Sequence, residues 1–290
     1  MWTADNWREY EVLDTSGGEK LERWGDYILI RPDPQVIWNT DRKDPRWRRA
    51  NGHYHRSSRG GGSWQFRDMP GEWTIRYDHL GLRFHLKPFS FKHTGLFPEQ
   101  AANWDWFYDL IDGSGRRISV LNLFAYTGGA TCAAAAAGAF VTHVDSSKGM
   151  VQWASDNARL TGLPGNSVRW IVDDCTKFVQ REIRRGHHYD AIIMDPPSYG
   201  RGPSGEVWKL EKNLYDFVRL CTGALSEDPL FVIINSYTTG LAPSVVGYLS
   251  DSLFSKKYGG HTDCGELGLP VTKTGLCLPC GATGRWTRED

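Results

Sequence analysis

The stretch Ile192–Tyr199 reads I-I-M-D-P-P-S-Y. An apolar run that stops at an acid and two prolines has the pattern of a buried parallel strand whose carboxyl end presents Asp195–Tyr199 as a rigid lip. Ligands of open α/β sheets bind at that edge. Pro196 and Pro197 fix φ and remove two backbone donors, which leaves the carbonyls around Asp195 and Pro196 as acceptors. Tyr199 adds a flat face. Acceptors beside an aromatic plate suit a planar group carrying an amine, such as a nucleobase. The plain alternative is a strand end followed by a turn.

Working outward, Ile118–Thr131 reads I-S-V-L-N-L-F-A-Y-T-G-G-A-T and leads into an alanine-rich helix. Strand, glycine turn and helix in that order make a nucleotide-binding unit, in which Gly128 and Gly129 let the backbone approach a ligand. G-x-G-x-x-G and G-x-x-x-x-G-K-[ST] are both missing, so dinucleotide and triphosphate readings are weak. The next strand, Ala139–Val144, ends at Asp145, placed either to accept from both hydroxyls of a ribose or to cap the helix after Ser146 and Ser147. A third, Val168–Val172, ends at Asp173-Asp174-Cys175. Asp145, Asp174 and Asp195 thus close three successive strands behind one glycine turn, a pattern harder to attribute to chance than any single acid.

D-P-P followed by an aromatic resembles motif IV of the class I S-adenosylmethionine-dependent methyltransferases, and N-x-F-A-Y-T-G-G from Asn122 is similar to their motif I. Thr94–Gln100, T-G-L-F-P-E-Q, resembles the stretch that precedes the cofactor strand in ribosomal-RNA methyltransferases of the large-subunit type. D-N-A-R-L-T-G-L around Asn157 and the late G-A-T-G-R-W also recur in that family, so the resemblance runs from about Asp26 to Trp286. It implies an α/β fold, a seven-stranded, doubly wound, mostly parallel Rossmann-like sheet, preceded by a small β-rich domain, with residues 1–93 and 94–290 as the two domains. It implies S-adenosyl-L-methionine as cofactor, held by Phe97, Gln100, Asn122, Phe124, Ala125, Tyr126, Gly128, Asp145, Ser146, Asn157, Asp174, Cys175 and Asp195. In that set Asp174 accepts from the adenine amine and the Cys175 backbone lies against the ring; helix capping is the competing use of Asp174. Asp195, Pro196, Pro197 and Tyr199 become the catalytic set.

At 290 residues the chain can bury a substantial core and accommodates a catalytic domain plus a smaller one. Its 34 basic and 34 acidic residues balance, which argues against a protein that coats nucleic acid indiscriminately and leaves a local basic patch open. The opening M-W-T-A-D-N-W-R-E-Y has no apolar signal core, and no apolar run reaches the length of a membrane span, so a cytoplasmic protein is expected. Six cysteines in a chain of this size imply reduced thiols. His261, Cys264, Cys277 and Cys280 form H-x2-C-x12-C-x2-C, a spacing that could bind zinc, but it falls in the final hairpin, where the resemblance needs no metal; no metal site is assigned.

Before Thr94 the chain reads as β-rich. Asp26–Ile30 is a short strand, and Trp73–Tyr77 with Leu82–Leu86 alternates around D-H-L-G as a hairpin. Between them lies a glycine- and arginine-rich segment, about Asp41–Phe66. Arg42, Lys43, Arg46, Arg48, Arg49, Arg56 and Arg59 stand there against Asp41 and Asp44, with Trp38, Trp47, Tyr54, Trp64 and Phe66 interleaved. Such a mixture suits RNA phosphates with splayed bases; a solvated basic loop pinned by aromatic anchors accounts for it equally.

After the glycine-rich run that follows Tyr199, a cover for substrate or a plain loop, helix is expected from about Trp208. Leu230–Asn235 reads as a strand, and Gly265–Val271 with Gly275–Leu278 as the last two.

Carbon-5 methylation of a pyrimidine needs a cysteine thiolate to attack carbon 6. Relatives that do this carry the cysteine just after the fifth strand, where this chain has Ser236. D-P-P-S-Y is instead similar to the motif of enzymes that methylate a base nitrogen. The expected reaction is therefore methyl transfer to a base nitrogen of RNA, ribosomal RNA in particular, with Asp195 and the Pro196 carbonyl holding the amine and Tyr199 stacking on the base. A methyltransferase of protein or small molecules would share every cofactor motif, and a non-catalytic RNA-binding protein would share the fold.

Overall fold

The structure, a computed structural model, describes residues 1–57, 61–89, 91–201, 207–238 and 240–288. Packing divides the chain into two units. One holds Met1–Ala102 with Gly268–Cys280, the other Asn103–Leu267 with Gly281–Asp290.

The first unit contains β1 (Trp2–Thr3), β2 (Tyr10–Ser16), β3 (Glu19–Trp24), β4 (Tyr27–Pro32), the short helix α1 (Arg46–Arg49), β5 (Gly52–Arg56), β6 (Gly62–Phe66), β7 (Trp73–Tyr77) and β8 (Leu82–Leu86). β2 to β6 form a five-stranded sheet in sequence order, and β7 pairs with β8 as the expected hairpin. The glycine- and arginine-rich segment is thus not one loop: it carries a helix and two paired strands. Trp47 and Tyr54, expected among its RNA-facing aromatics, are buried instead. Trp47 joins Leu13, Leu21 and Ile30 in a core cluster, and its Nε1 donates to Asp14 at 2.8 Å. Burial tends to raise the carboxyl pKa of Glu22, but Arg31, bonded at 2.6 and 2.8 Å, and Lys20 overrule it and hold it at about 2.

The second unit is built on β9 (Ser119–Leu123), β10 (Phe140–Asp145), β11 (Val168–Val172), β12 (Ala191–Met194), β13 (Tyr199–Arg201), β14 (Val207–Lys209), β15 (Phe231–Ser236), β16 (His261–Pro270) and β17 (Cys277–Thr287), with helices α2 (Ala101–Gly113), α3 (Gly129–Ala136), α4 (Lys148–Thr161), α5 (Cys175–Arg184), α6 (Leu210–Cys221) and α7 (Pro243–Ser250). The sheet order is β11-β10-β9-β12-β15-β17-β16, and β1 adds a two-residue edge. The first five strands are parallel and β17 returns antiparallel to β15. The last two strands are longer than expected, and their tip, Gly268–Cys280, belongs to the first unit. Helix α6 begins at Leu210, because Val207–Lys209 pairs with Tyr199–Arg201 as a small hairpin.

All four residues of β12 are buried, the composition expected of a parallel strand covered on both faces. Leu121, Ile192, Val232 and Ile234 pack with Phe217 and Trp286 in one cluster; full burial of each such side chain contributes roughly 1.5–3 kcal/mol. Gly129 opens α3 because a Cβ there would stand 2.6 Å from the Trp104 ring. Successive connections run from β9 to β10 on one side and to β12 on the other, so the order reverses between β9 and β12, and a crevice opens at their carboxyl ends.

Candidate cofactor and substrate site

At the end of β9 the chain makes a turn that few sequences tolerate. Phe124 and Tyr126 have φ of +56° and +53°, a left-handed conformation that costs a side-chain-bearing residue about 1–2 kcal/mol each. Neighbouring elements hold them there. The Phe124 amide donates to Cys175 Sγ at 3.3 Å, Ala125 N to the Val144 carbonyl at 3.1 Å, and Tyr126 N to Asp145 Oδ2 at 2.9 Å. Asn157, fully buried on α4, donates to the Thr127 carbonyl at 2.9 Å. Gly128 closes the turn at φ +82°, where a Cβ would come 2.8 Å from Ala154.

Beneath the turn runs a buried polar chain. Asn122 Nδ2 donates to Thr131 Oγ1 (2.9 Å), which lies 2.9 Å from His143 Nδ1. The other ring nitrogen, His143 Nε2, is buried and has no hydrogen-bond partner among the described residues. Burial pushes the His143 pKa down to about 3.

The three acids that end β10, β11 and β12 meet one rim. Asp145 takes Tyr126 N on one oxygen and Ser147 N (2.8 Å) on the other; burial raises its pKa, against these two bonds. Its carbonyl accepts from Asp173 N at 3.0 Å, and Asp195 N reaches the Leu123 carbonyl at 3.4 Å. Asp174 caps α5, accepting from Lys177 N at 2.9 Å, so the capping use is the one the fold displays. Asp173 is paired with Arg181. Ser146 is exposed beside Asp145. Cys175 is buried with its thiol under Phe124, its pKa raised by burial.

The lip itself is braced by residues that sequence reasoning missed. Pro196 is buried and Pro197 exposed, and the Pro197 carbonyl accepts from Trp208 Nε1 at 2.6 Å. Trp208 packs 5.5 Å from Phe124 and 5.6 Å from Phe217, centroid to centroid. Thr238 Oγ1 donates to Ser198 Oγ at 2.7 Å. Tyr199, half exposed, opposes Lys209 on the β13–β14 hairpin. An aromatic in a short alternating run after D-P-P was the available signal for Trp208. Residues 202–206 of the proposed cover lie outside the described residues, as does Arg59.

Ser236 is buried at the end of β15, and its hydroxyl accepts from Thr238 N at 3.2 Å. Beside it Asn235, Asn103 and Arg285 form a buried chain with bonds of 3.0 and 2.8 Å. Burial pushes the Cys132 thiol up to about 12 and holds that of Cys221 higher still. Phe97 and Gln100 stand in the first unit, where Gln100 N closes a single turn on the Phe97 carbonyl at 3.1 Å. Among the described residues no three His, Cys, Asp or Glu side chains gather to hold a metal, the H-x2-C-x12-C-x2-C set included. No described helix is long and apolar enough to cross a membrane.

A left-handed turn opening on the β9/β12 crevice, with partly exposed acids on its rim, fits an adenosine-type group bearing a charged tail. The chain matches the family model of S-adenosylmethionine-dependent methyltransferases over residues 49–229. It is 30% identical over 185 residues to the ribosomal RNA large subunit methyltransferase K/L of Syntrophotalea carbinolica, covering 63% of this chain and 25% of that one. Against the protein of that name from Shewanella loihica the figures are 37% over 120 residues, 41% and 16%; the chain spans a quarter or less of the length of these two relatives. A solved SAM-dependent methyltransferase from Agrobacterium tumefaciens is similar at TM-score 0.91 and 36% identity, covering 97% of this chain and 91% of that one. A Streptococcus mutans structure at TM-score 0.73, 20% identity and coverage of 96% and 75% shares the fold.

Proposed function

The chain belongs to the S-adenosylmethionine-dependent methyltransferase family, and from that premise we propose that it transfers methyl to a base nitrogen of RNA, ribosomal RNA in particular. The observation that carries this reading is the Asp195–Tyr199 lip, anchored through Asp195 N to the carbonyl of Leu123 and so adjoining the cofactor turn. S-adenosyl-L-methionine supplies an electrophilic methyl group on a sulfonium. The chain's own part is to orient. Asp145 and Asp174 offer carboxylate edges to the cofactor's ribose and adenine, Phe97 and Gln100 belong to the same assignment, and Asp195 with the Pro196 carbonyl accepts from the amine of the base. Tyr199 stacks on that base, worth about 1–3 kcal/mol. Alignment of two reactants can contribute roughly 7–11 kcal/mol, so little acid–base help is required. No thiolate enters, because Cys132, Cys175 and Cys221 are buried with raised pKa values. On this reading residues 94–290 carry the chemistry and residues 1–93 contribute to substrate contact. The names of the relatives support RNA as the substrate class.

Nucleoside mass spectrometry of ribosomal RNA from cells with and without the gene tests it. A nitrogen-methylated base lost with the gene is expected; ribosomal RNA that is unchanged would remove the substrate assignment.

A further inference from the structure

Trp64 and Phe66 stand two residues apart on β6, the edge strand of the five-stranded sheet. Their rings lie parallel, 5.6 Å apart with 11° between planes. Trp64 is fixed by its Nε1, which donates to the Phe89 and Phe91 carbonyls at 3.2 and 3.1 Å. The strand opposite makes room for it: a Cβ on Gly52 would come within 3.3 Å of the Trp64 ring and 2.8 Å of Leu29. Gly62 does the same for Tyr54, whose buried ring braces Trp64 edge-on at 5.5 Å. The outer surface of this stack is open. Phe66 is 51% exposed and Phe91 58%, so the stacked Phe66 ring and Phe91, whose carbonyl holds Trp64, both present apolar surface to water.

The charge around them is one-sided. Arg42 and Arg46 are neutralised by Glu19 and Asp44 at 2.8 and 2.7 Å, whereas Arg48, Arg49 and Arg56 are exposed with no carboxylate partner among the described residues. Arg67 and Asp68, next along the chain from Phe66, are both exposed and carry opposite formal charges. Alternation along the paired strands puts Arg56 on the sheet face that carries Tyr54, Trp64 and Phe66. Lys92, next to Phe91, donates to the Pro32 carbonyl at 3.1 Å. Burial first, then the positive charge of Lys20, pushes its pKa down to about 8, and Arg31 and Arg56 add to that push against Asp33 alone.

We propose that Trp64, Phe66 and Phe91, rimmed by Arg56 and Lys92, form a stacking platform for single-stranded RNA. A preset aromatic pair accepts the face of any base, and cations without carboxylate partners suit the phosphates between bases. A protein or a second copy of the chain could cover the rings but would leave the guanidinium groups unmatched unless it brought acids. The inference rests on RNA being the substrate and locates where the strand is gripped.

Fluorescence anisotropy with a labelled oligoribonucleotide of about ten nucleotides tests it on the full chain. The double variant Phe66→Ala, Phe91→Ala should bind on the order of tenfold more weakly, and Arg56→Gln should reduce the slope of log Kd against log salt by about one. Circular dichroism and calorimetric affinity for S-adenosylmethionine should be unchanged, since both phenylalanines are exposed. Wild-type binding that the variants retain in full overturns the platform and leaves the RNA reading intact. Wild-type protein that binds no RNA overturns both. Self-association in sedimentation, without RNA, that the double variant abolishes would assign the face to a second copy.

Discussion

The amide of Tyr126 donates to Asp145 Oδ2 at 2.9 Å, so the acid that ends β10 also holds the left-handed turn that ends β9. Ser147 N occupies its other oxygen at 2.8 Å. Asp145→Ala leaves two backbone donors without their acceptor and relaxes a strained residue. We expect a stability loss of about 2 kcal/mol and roughly tenfold weaker cofactor binding. Asp145→Asn, which keeps one acceptor, should fall between, with thermal melts and calorimetry as the readouts. An alanine variant with native affinity would separate the turn from the cofactor.

The neutral, buried His143 links stability to pH. Its pKa is about 3 in the fold against roughly 6.5 unfolded, so below 6.5 the unfolded chain binds a proton that the folded chain refuses. Stability is therefore full above pH 6.5 and is lost as pH falls toward 3. At pH 5 the loss is about 2 kcal/mol. Denaturant unfolding at several pH values should show this slope, and His143→Gln should flatten it between pH 6.5 and 5. An unchanged slope in the variant would mean that other groups set it.

The cysteines divide by exposure. Iodoacetamide at neutral pH should modify exposed Cys264 and spare the buried Cys132, Cys175 and Cys221, with turnover held within about twofold. Peptide mass spectrometry with a parallel methylation assay checks both halves. Inactivation that tracks a buried cysteine would point to a covalent route.

Much of the catalytic unit could be read from the chain, because three of its strands are apolar runs that reach an acid, and their ends fall within a residue of where the structure closes them. Met194, buried, is followed by Asp195, and Val144 by Asp145. What could not be read is whatever depends on partners far apart. Left-handed Phe124 and Tyr126 carry no local signature, since glycine is the usual occupant of that conformation. The brace from Trp208 to Pro197 depends on a hairpin eleven residues long in sequence, whose pairing no periodicity announces. The excess of positive charge in the basic segment looked larger than it is because Glu19, which neutralises Arg42, lies outside it on β3. Asp174 was open to two uses, and the bond from Lys177 N to its Oδ1 displays the capping one.

The most direct test is methyl transfer by Asp195→Ala, with RNA from cells lacking the gene as acceptor and calorimetry for cofactor affinity alongside. Turnover should fall about 100-fold or more while S-adenosylmethionine still binds. An Asp195→Ala protein that methylates RNA at the wild-type rate would contradict the account.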